Sequence, residues 1–379
     1  MPIRDAGANA PAPSPSKRFF RPLLVVLALA LVIGGSIAWR PNGGPATSTP
    51  AARGFRFVDD VGRTVTIRTP VRRVVVFNRY NVEFVRAIAG TGPIVGIDAG
   101  TARERAYWPG LRDVPVVGQG QSTPNYDAIA DLAPDLVILP RNGAWAEADK
   151  LLTSLGIPVA VVTAWDVLQH ERNATLLGHL FERPREAEAL GAFYRHWHDL
   201  LGQRLQGVKR KRVYLEEVGD YRTLLPGSGW HDMIEAGGGI NVFGDVTIAT
   251  ADGSRGTSQG FTVDPEEVIA RRPDVIIKLQ PGQYAPHSRA FSRAVLERLA
   301  ARPGFATIPA VHEGQVYHVS YYLAGGCSKI IGALQVAKWL YPERFQDIDP
   351  EAVMGEWLTR FQHVPARHGY SASLSEVRK

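Results

Sequence analysis

The chain repeats itself at a fixed offset, and few folds accommodate such a repetition. The stretch NYDAIADLAPDLVI, starting at Asn125, has a counterpart in DPEEVIARRPDVII, starting at Asp264. Asn125, Asp127 and Pro134 fall on Asp264, Glu266 and Pro273, each 139 residues later. Upstream, RVVVF from Arg73 and RVYLE from Arg212 keep the same offset of 139. Internal repeats of this size set the architecture before any local reading does. Each unit reads as a strand, a variable stretch, a short helix, a Pro-Asp pair and an apolar strand. Uninterrupted apolar runs such as LVIL at 136–139 suit strands covered on both faces, as in a parallel sheet. The expected fold class is therefore α/β, with two similar α/β lobes built on parallel-type sheets.

One long helix is expected between the lobes. Over residues 184–205, Leu190, Phe193, Trp197 and Leu201 recur at three- and four-residue steps and make one apolar stripe. Such a helix spans about 30 Å, enough for a strut joining two lobes. Asn173 reads as the cap of a shorter helix over 174–181, and residues 55–67 alternate around Asp60-Val61-Gly62 as a hairpin. The polar segment 363–379 reads as a flexible tail. The expected organisation is an export signal or membrane anchor plus linker at 1–53, an N-terminal lobe at 54–170, and connecting helices at 171–207. A C-terminal lobe at 208–362 and the tail at 363–379 complete it.

Charge and cysteine usage exclude several functions. The net charge is +6, but residues 1–53 hold six basic residues and one acidic one, which leaves the remainder near neutral. A phosphate-backbone binder needs a basic face on its folded part, so nucleic acid is not an expected partner. A single cysteine, Cys327, rules out an internal disulfide and a cysteine-rich zinc module. Lys17, Arg18 and Arg21 precede residues 22–39, which carry no charge. Positive charge ahead of an apolar run directs the downstream chain out of the cytoplasm, so the folded part is expected to be periplasmic or otherwise extracytoplasmic. Eighteen residues stand at the border between a cleaved signal peptide and an anchor that tethers the protein.

At this point the residues resemble a known family. The hairpin FVDDVGRTVTI, the strand RRVVVFN, the two repeated segments and the closing VYHVSYYLAGGC…AKWLYPERF are similar to solute-binding proteins of ABC importers. The similar subgroup serves iron–siderophore, haem and cobalamin uptake, and the resemblance covers about residues 55–360. It implies a ligand cleft between two lobes joined by one helix, little hinge closure, a monomer, no cofactor, and an ABC permease of the inner membrane as partner. It also implies permease docking through one carboxylate on each lobe, here Asp127 and Glu266. The residues alone offer another account of that pair: an acid in the first turn of a helix offsets the helix dipole by about 0.3–1 kcal/mol.

In α/β lobes ligands collect beyond the carboxyl ends of the strands. The loops there hold Arg79, Tyr80, Arg141, Trp145 and Trp165 in the first lobe. In the second they hold Tyr221, Arg222, Trp230, Tyr284, Tyr321 and Tyr322. Guanidinium groups meet anionic oxygens and aromatic rings pack on flat surfaces, a mixture that suits a large, partly aromatic, anionic metal chelate. A ferric siderophore fits best, with haem or cobalamin as the alternatives. His231 offers an axial ligand to such a metal, although a histidine after a Gly-Ser-Gly turn more commonly just opens a helix. A secreted serine hydrolase is the rival of another class: Gly256, Ser258 and Gly260 match G-x-S-x-G. The segment before them, TADGSR, is polar and lacks the strand such an elbow needs, so no catalytic residue is expected.

Overall fold

A computed structural model describes residues 53–246, 260–282 and 284–379. The apolar run at 22–39 and Ser258 lie outside the described residues. Strands β1 (Arg53–Val58) and β2 (Thr64–Thr69) pair antiparallel as the expected hairpin. The next four are β3 (Val74–Val76), β4 (Ile94–Ile97), β5 (Leu136–Leu139) and β6 (Val159–Val161). They form a parallel sheet in the order β4-β3-β5-β6. After the long helix Pro184–Arg204 come β7 (Lys211–Glu216), β8 (Arg222–Thr223), β9 (Gly239–Asn241) and β10 (Phe261–Thr262). The chain then adds β11 (Val275–Gln280), β12 (Val316–Ser320) and β13 (Ser371–Ser373). Within this second sheet β9, β7, β11 and β12 run parallel in that order, the same winding as in the first lobe. Leu136 to Leu139 and Val275 to Gln280 are buried throughout, as strands covered on both faces must be.

The repeat has a physical content that the side chains make plain. In the first lobe the Asp135 carboxylate accepts hydrogen bonds from the backbone N–H groups of Arg72 and Arg73, both at 2.8 Å. The Arg73 guanidinium reaches back to the Leu132 carbonyl at 2.6 Å, at the end of the helix Tyr126–Asp131. In the second lobe Asp274 accepts from the Arg212 N–H at 2.8 Å, and the Arg212 guanidinium meets the Arg271 carbonyl at 2.7 Å. Ala133 and Arg272 both turn the chain through the left-handed region, at φ 42° and 44°. The carbonyls at a helix end lack intrahelical partners, and an arginine there both satisfies them and suits the helix dipole. Each clasp fixes where the helix stops and where the next strand enters the sheet.

The long helix buries the stripe read from its sequence: Leu190, Phe193, Trp197 and Leu201. It touches both halves. Phe193 packs on Trp357 and Phe361, with centroids at 6.1 and 5.2 Å, whereas Tyr194 packs on Phe84 at 6.3 Å and donates to the Cys327 carbonyl. Cys327 itself is buried, and its thiol donates to the Tyr80 carbonyl at 3.2 Å. Two local expectations are corrected. Asn173 does not cap a helix; the helix His170–Phe181 starts three residues earlier, and buried Asn173 donates to Asp60 at 3.2 Å. The segment 363–379 is not loose: Ser371–Ser373 pairs antiparallel with β12, and the buried Tyr370 donates to the Tyr284 carbonyl at 2.7 Å. Tyr370, Leu374 and Val377 are apolar anchors spaced among polar residues, so the segment's average polarity conceals them. Among the described residues no helix is long and apolar enough to cross a membrane.

Replacing Asp135 with Ala is expected to lower stability by about 1.5–3 kcal/mol, the range for hydrogen bonds to charged groups. Asp274→Ala, which frees one backbone N–H where Asp135→Ala frees two, should cost less, and the effects should add. Equilibrium urea unfolding of the two single variants and the double variant reads both expectations.

Candidate functional site

The wall on the first lobe is organised by short polar links between loops. Asn78, at φ 74°, caps the helix Arg79–Ala89 through its side chain, which accepts from the Tyr80 N–H at 2.9 Å. Its own N–H donates to the buried Asp98 carboxylate at 2.6 Å, and its amide donates to Gln121. Gln121 in turn donates to Asn142 at 2.7 Å, so three loops are tied by one chain of amides. A cavity of about 420 Å³ opens over them, with Arg79, Tyr80, Asp98 and residues 119–123 in its lining.

Continuous with it through Asn78 and Tyr80 is a cleft of about 230 Å³ bounded by both lobes. The first lobe supplies Tyr80, Asn142 and Trp165; the second supplies Glu217, Ser228, Gly229, Trp230, Tyr321 and Lys329. Tyr80 and Trp165 meet edge to face at 6.3 Å, and Trp230 and Tyr321 lie 4.9 Å apart. Tyr80 spans the junction. Its ring lies on Gly325 and Gly326 of the other lobe, and a β-carbon on Gly326 would stand 2.2 Å from that ring. Gly326 also holds φ 54°, a conformation that disfavours any side chain.

Of the eleven expected ligand residues, four line this cleft: Tyr80, Trp165, Trp230 and Tyr321. Arg79 lines the adjoining cavity, and Tyr322 lies beneath it, buried. The Arg79 guanidinium sits over both Tyr80 (4.8 Å) and Tyr322 (4.5 Å) and donates to the Gly282 carbonyl of the second lobe at 3.4 Å. Arg222 stands at the rim, paired with Glu217 at 3.0 Å and donating to the Gly260 carbonyl at 3.1 Å. The other four turn into their own lobes and away from the cleft. Arg141 is buried in an ion pair with Asp166 at 2.9 Å. Trp145 donates to the Arg141 carbonyl and packs under Arg63. Tyr221 lies under Arg302 at 4.4 Å, beside the buried Lys278–Glu216 pair. Tyr284 is 5 % exposed and donates to the Pro365 carbonyl at 2.6 Å. His231 hydrogen-bonds Asn241 at 3.3 Å, and among the described residues no cluster of three His, Cys, Asp or Glu side chains could hold a metal ion.

The residue that sequence reasoning missed is Lys329. It opens the apolar helix Lys329–Leu340, is 1 % exposed, and brings Nζ to 4.0 Å from the Trp230 ring centroid. Burial pushes its pKa down to about 7, opposed by the charges of Asp232 and Asp166. Its sequence signal is modest: one charge ahead of an otherwise uncharged apolar turn. Asp127 and Glu266 are exposed, each in the first turn of its short helix behind the caps Asn125 and Asp264.

Residues 74–322 match the model of the family described as periplasmic binding protein, and the chain belongs to that family. It is a periplasmic solute-binding protein of an ABC transporter and not an enzyme. By sequence it is 25% identical over 341 residues to the molybdate-binding protein MolA of Haemophilus influenzae, covering 80% of this chain and 89% of MolA. By structure it is similar to the TroA-like periplasmic binding protein FepB from Veillonella parvula, with a TM-score of 0.71 at 22% identity. That match covers 84% of this chain and 99% of the other. Molybdate-bound MolA gives a TM-score of 0.66 at 21% identity, covering 83% and 99%. The vitamin B12 binding protein BtuF of Vibrio cholerae gives 0.56 at 20% identity, covering 72% and 97%. These structural likenesses establish the two-lobed fold.

Gly326→Ala is expected to displace the Tyr80 ring and cost about 1–3 kcal/mol, the usual range for a side chain forced into a left-handed conformation. The checks are the thermal midpoint and the near-ultraviolet circular dichroism of the Tyr80–Trp165 pair, both of which should change.

Proposed function

We propose that this protein captures an anionic metal chelate, with a ferric siderophore as first choice, and delivers it to its ABC permease. The observation that carries this reading is the composition of the cleft: rings from both lobes, with cations at its wall and mouth. Tyr80, Trp165, Trp230 and Tyr321 offer flat apolar faces. Lys329 and, in the adjoining cavity, Arg79 supply positive charge for carboxylate, hydroxamate or catecholate oxygens. Haem would find the same surfaces, whereas a neutral corrinoid would leave the buried ammonium without a partner. The second lobe is held to the first by Arg86–Gln362 (2.9 Å) and Gln362–Glu83 (3.2 Å) hydrogen bonds as well as by Tyr80. A cleft tied in this way is largely preformed, which keeps the ordering cost of binding low.

A molybdate-type oxyanion is the second reading. It is favoured by the likeness to MolA and by the modest volume of the cleft. Titration of tryptophan fluorescence separates the two, because Trp165 and Trp230 lie in the lining. Submicromolar quenching by one ferric hydroxamate, ferric catecholate or ferric citrate is expected. A response to molybdate alone sinks the chelate reading, and a response to cobalamin alone sinks the anionic one.

Docking through Asp127 and Glu266 is part of the same proposal. Two exposed acids at equivalent places on two lobes can set orientation on a two-fold permease by charge-assisted hydrogen bonds. Replacing both with Ala should abolish uptake into cells and leave ligand affinity unchanged; normal uptake refutes the docking role.

A further inference from the structure

We propose that Lys329 is the seat for one anionic oxygen group of the ligand, and that capture takes up a proton at this side chain. The inference rests on the receptor reading above and names the chemistry of one wall of its cleft. Four observations converge on it. Lys329 is 1 % exposed yet lines the cleft. Among the described residues its ammonium makes no hydrogen bond and no ion pair; its close contact is the Trp230 ring at 4.0 Å. It stands at the first position of a twelve-residue helix, where the helix dipole is positive and disfavours a cation. A second helix, Gly229–Ala236, also opens on the cleft through Ser228, Gly229 and Trp230.

A buried ammonium normally pairs or loses its proton, because leaving a charge unpaired in a poorly solvated site costs several kcal/mol. Here the fold sets that charge between two helix N-termini, an arrangement that repels cations and completes itself by accepting an anion. Gly229 contributes directly. Its position lets the Trp165 carbonyl and Lys329 Nζ come close, since a β-carbon there would stand 2.9 and 3.0 Å from them. The ligand chemistry is an anionic oxygen, whether it belongs to a chelating ligand or to a free oxyanion.

The nearby acids offset the burial of Lys329 only in part, since Asp232 and Asp166 favour its charged form while burial still lowers its pKa. Asp166, from the loop after β6, is paired with Arg141. Glu217, after β7, is paired with Arg222. Asp232, in the first turn of the Gly229–Ala236 helix, acts on Lys329 through space and has a further interaction of its own. Buried His170 faces Lys329 from the first lobe, and burial pushes its pKa down to about 3, so it is neutral at physiological pH. Burial lowers the Lys329 pKa to about 7, so its charged and uncharged forms both occur near neutral pH. An anion beside it favours the charged form and raises that pKa, so binding at or above pH 7 draws in a proton. Affinity is therefore constant well below pH 7 and falls about tenfold per unit well above it.

The test uses the purified full chain with Lys329→Met and Lys329→Arg variants, probed with sodium molybdate, ferric citrate, a ferric tricatecholate and cyanocobalamin. Titrations run from pH 6 to pH 9, and thermal melts report folding. The wild type should bind at least one anionic probe. At pH 6.5 Lys329→Met should weaken that probe at least tenfold and Lys329→Arg less than threefold. The wild-type affinity should fall steeply between pH 7.5 and 9, while the Met variant shows no slope. Equal binding by wild type and the Met variant overturns the role of Lys329 and leaves the receptor reading intact. Binding of molybdate but no iron complex keeps Lys329 as the seat and removes the chelate reading. Binding of cyanocobalamin alone, or of no probe, overturns both. Should the Met variant fail to fold, a flat wild-type pH profile overturns the proposal by itself.

Discussion

The clasp in which an aspartate at the start of one strand accepts backbone N–H groups at the start of its neighbour, and an arginine there ties off the helix that leads into the aspartate's strand, underlies the rest of this structure. It occurs as Asp135 with Arg73 and again as Asp274 with Arg212. Each clasp joins a helix end to two neighbouring parallel strands, β3 with β5 and β7 with β11. Register in a parallel sheet is held by side-chain pattern and by such anchors, because no tight turn sets it. With register set, the loops after the strands form the cleft walls, with Asn142 and Trp165 from the first lobe and Glu217 and Tyr321 from the second.

What joins the two walls is a small number of specific contacts. The long helix gives one apolar face to Phe84 of the first lobe and to Trp357 and Phe361 near the end of the chain. The helix Arg79–Ala89 supplies a second tie, through Tyr80 on Gly326 and Arg86 on Gln362. Of these side chains Tyr80 also lines the cleft, so one residue both joins the lobes and shapes the cavity between them. Within the cleft the polar groups are mostly spoken for: Asn78, Gln121 and Asn142 bond one another, and Glu217 bonds Arg222. The exception is Lys329, which among the described residues makes no hydrogen bond or ion pair and lies against the Trp230 ring.

Much of the scaffold is legible in the residues. The 139-residue offset predicts two like lobes, and the strand orders β4-β3-β5-β6 and β9-β7-β11-β12 have the same winding. The stripe on the long helix is readable because helical period and burial coincide there. The final segment is not, since Val364, Tyr370, Leu374 and Val377, spread among polar neighbours, carry its packing. The loops are half legible: strand ends locate them, but Arg141 and Tyr284 prove to serve packing within the walls.

Residue order alone specifies the repeated α/β architecture, the strut between its halves and most of the loops that border the cleft. Those features arise from local periodicity and from residue types at fixed spacing, which any contiguous stretch displays. Which loop side chains face the ligand is a matter for the folded chain. A loop side chain takes its direction from partners distant in sequence, as Arg141 does from Asp166 and Tyr80 from Gly326. Lys329 shows the same dependence: in the sequence it is a lysine at the start of an apolar helix, and only the fold buries it against Trp230 at the cleft wall.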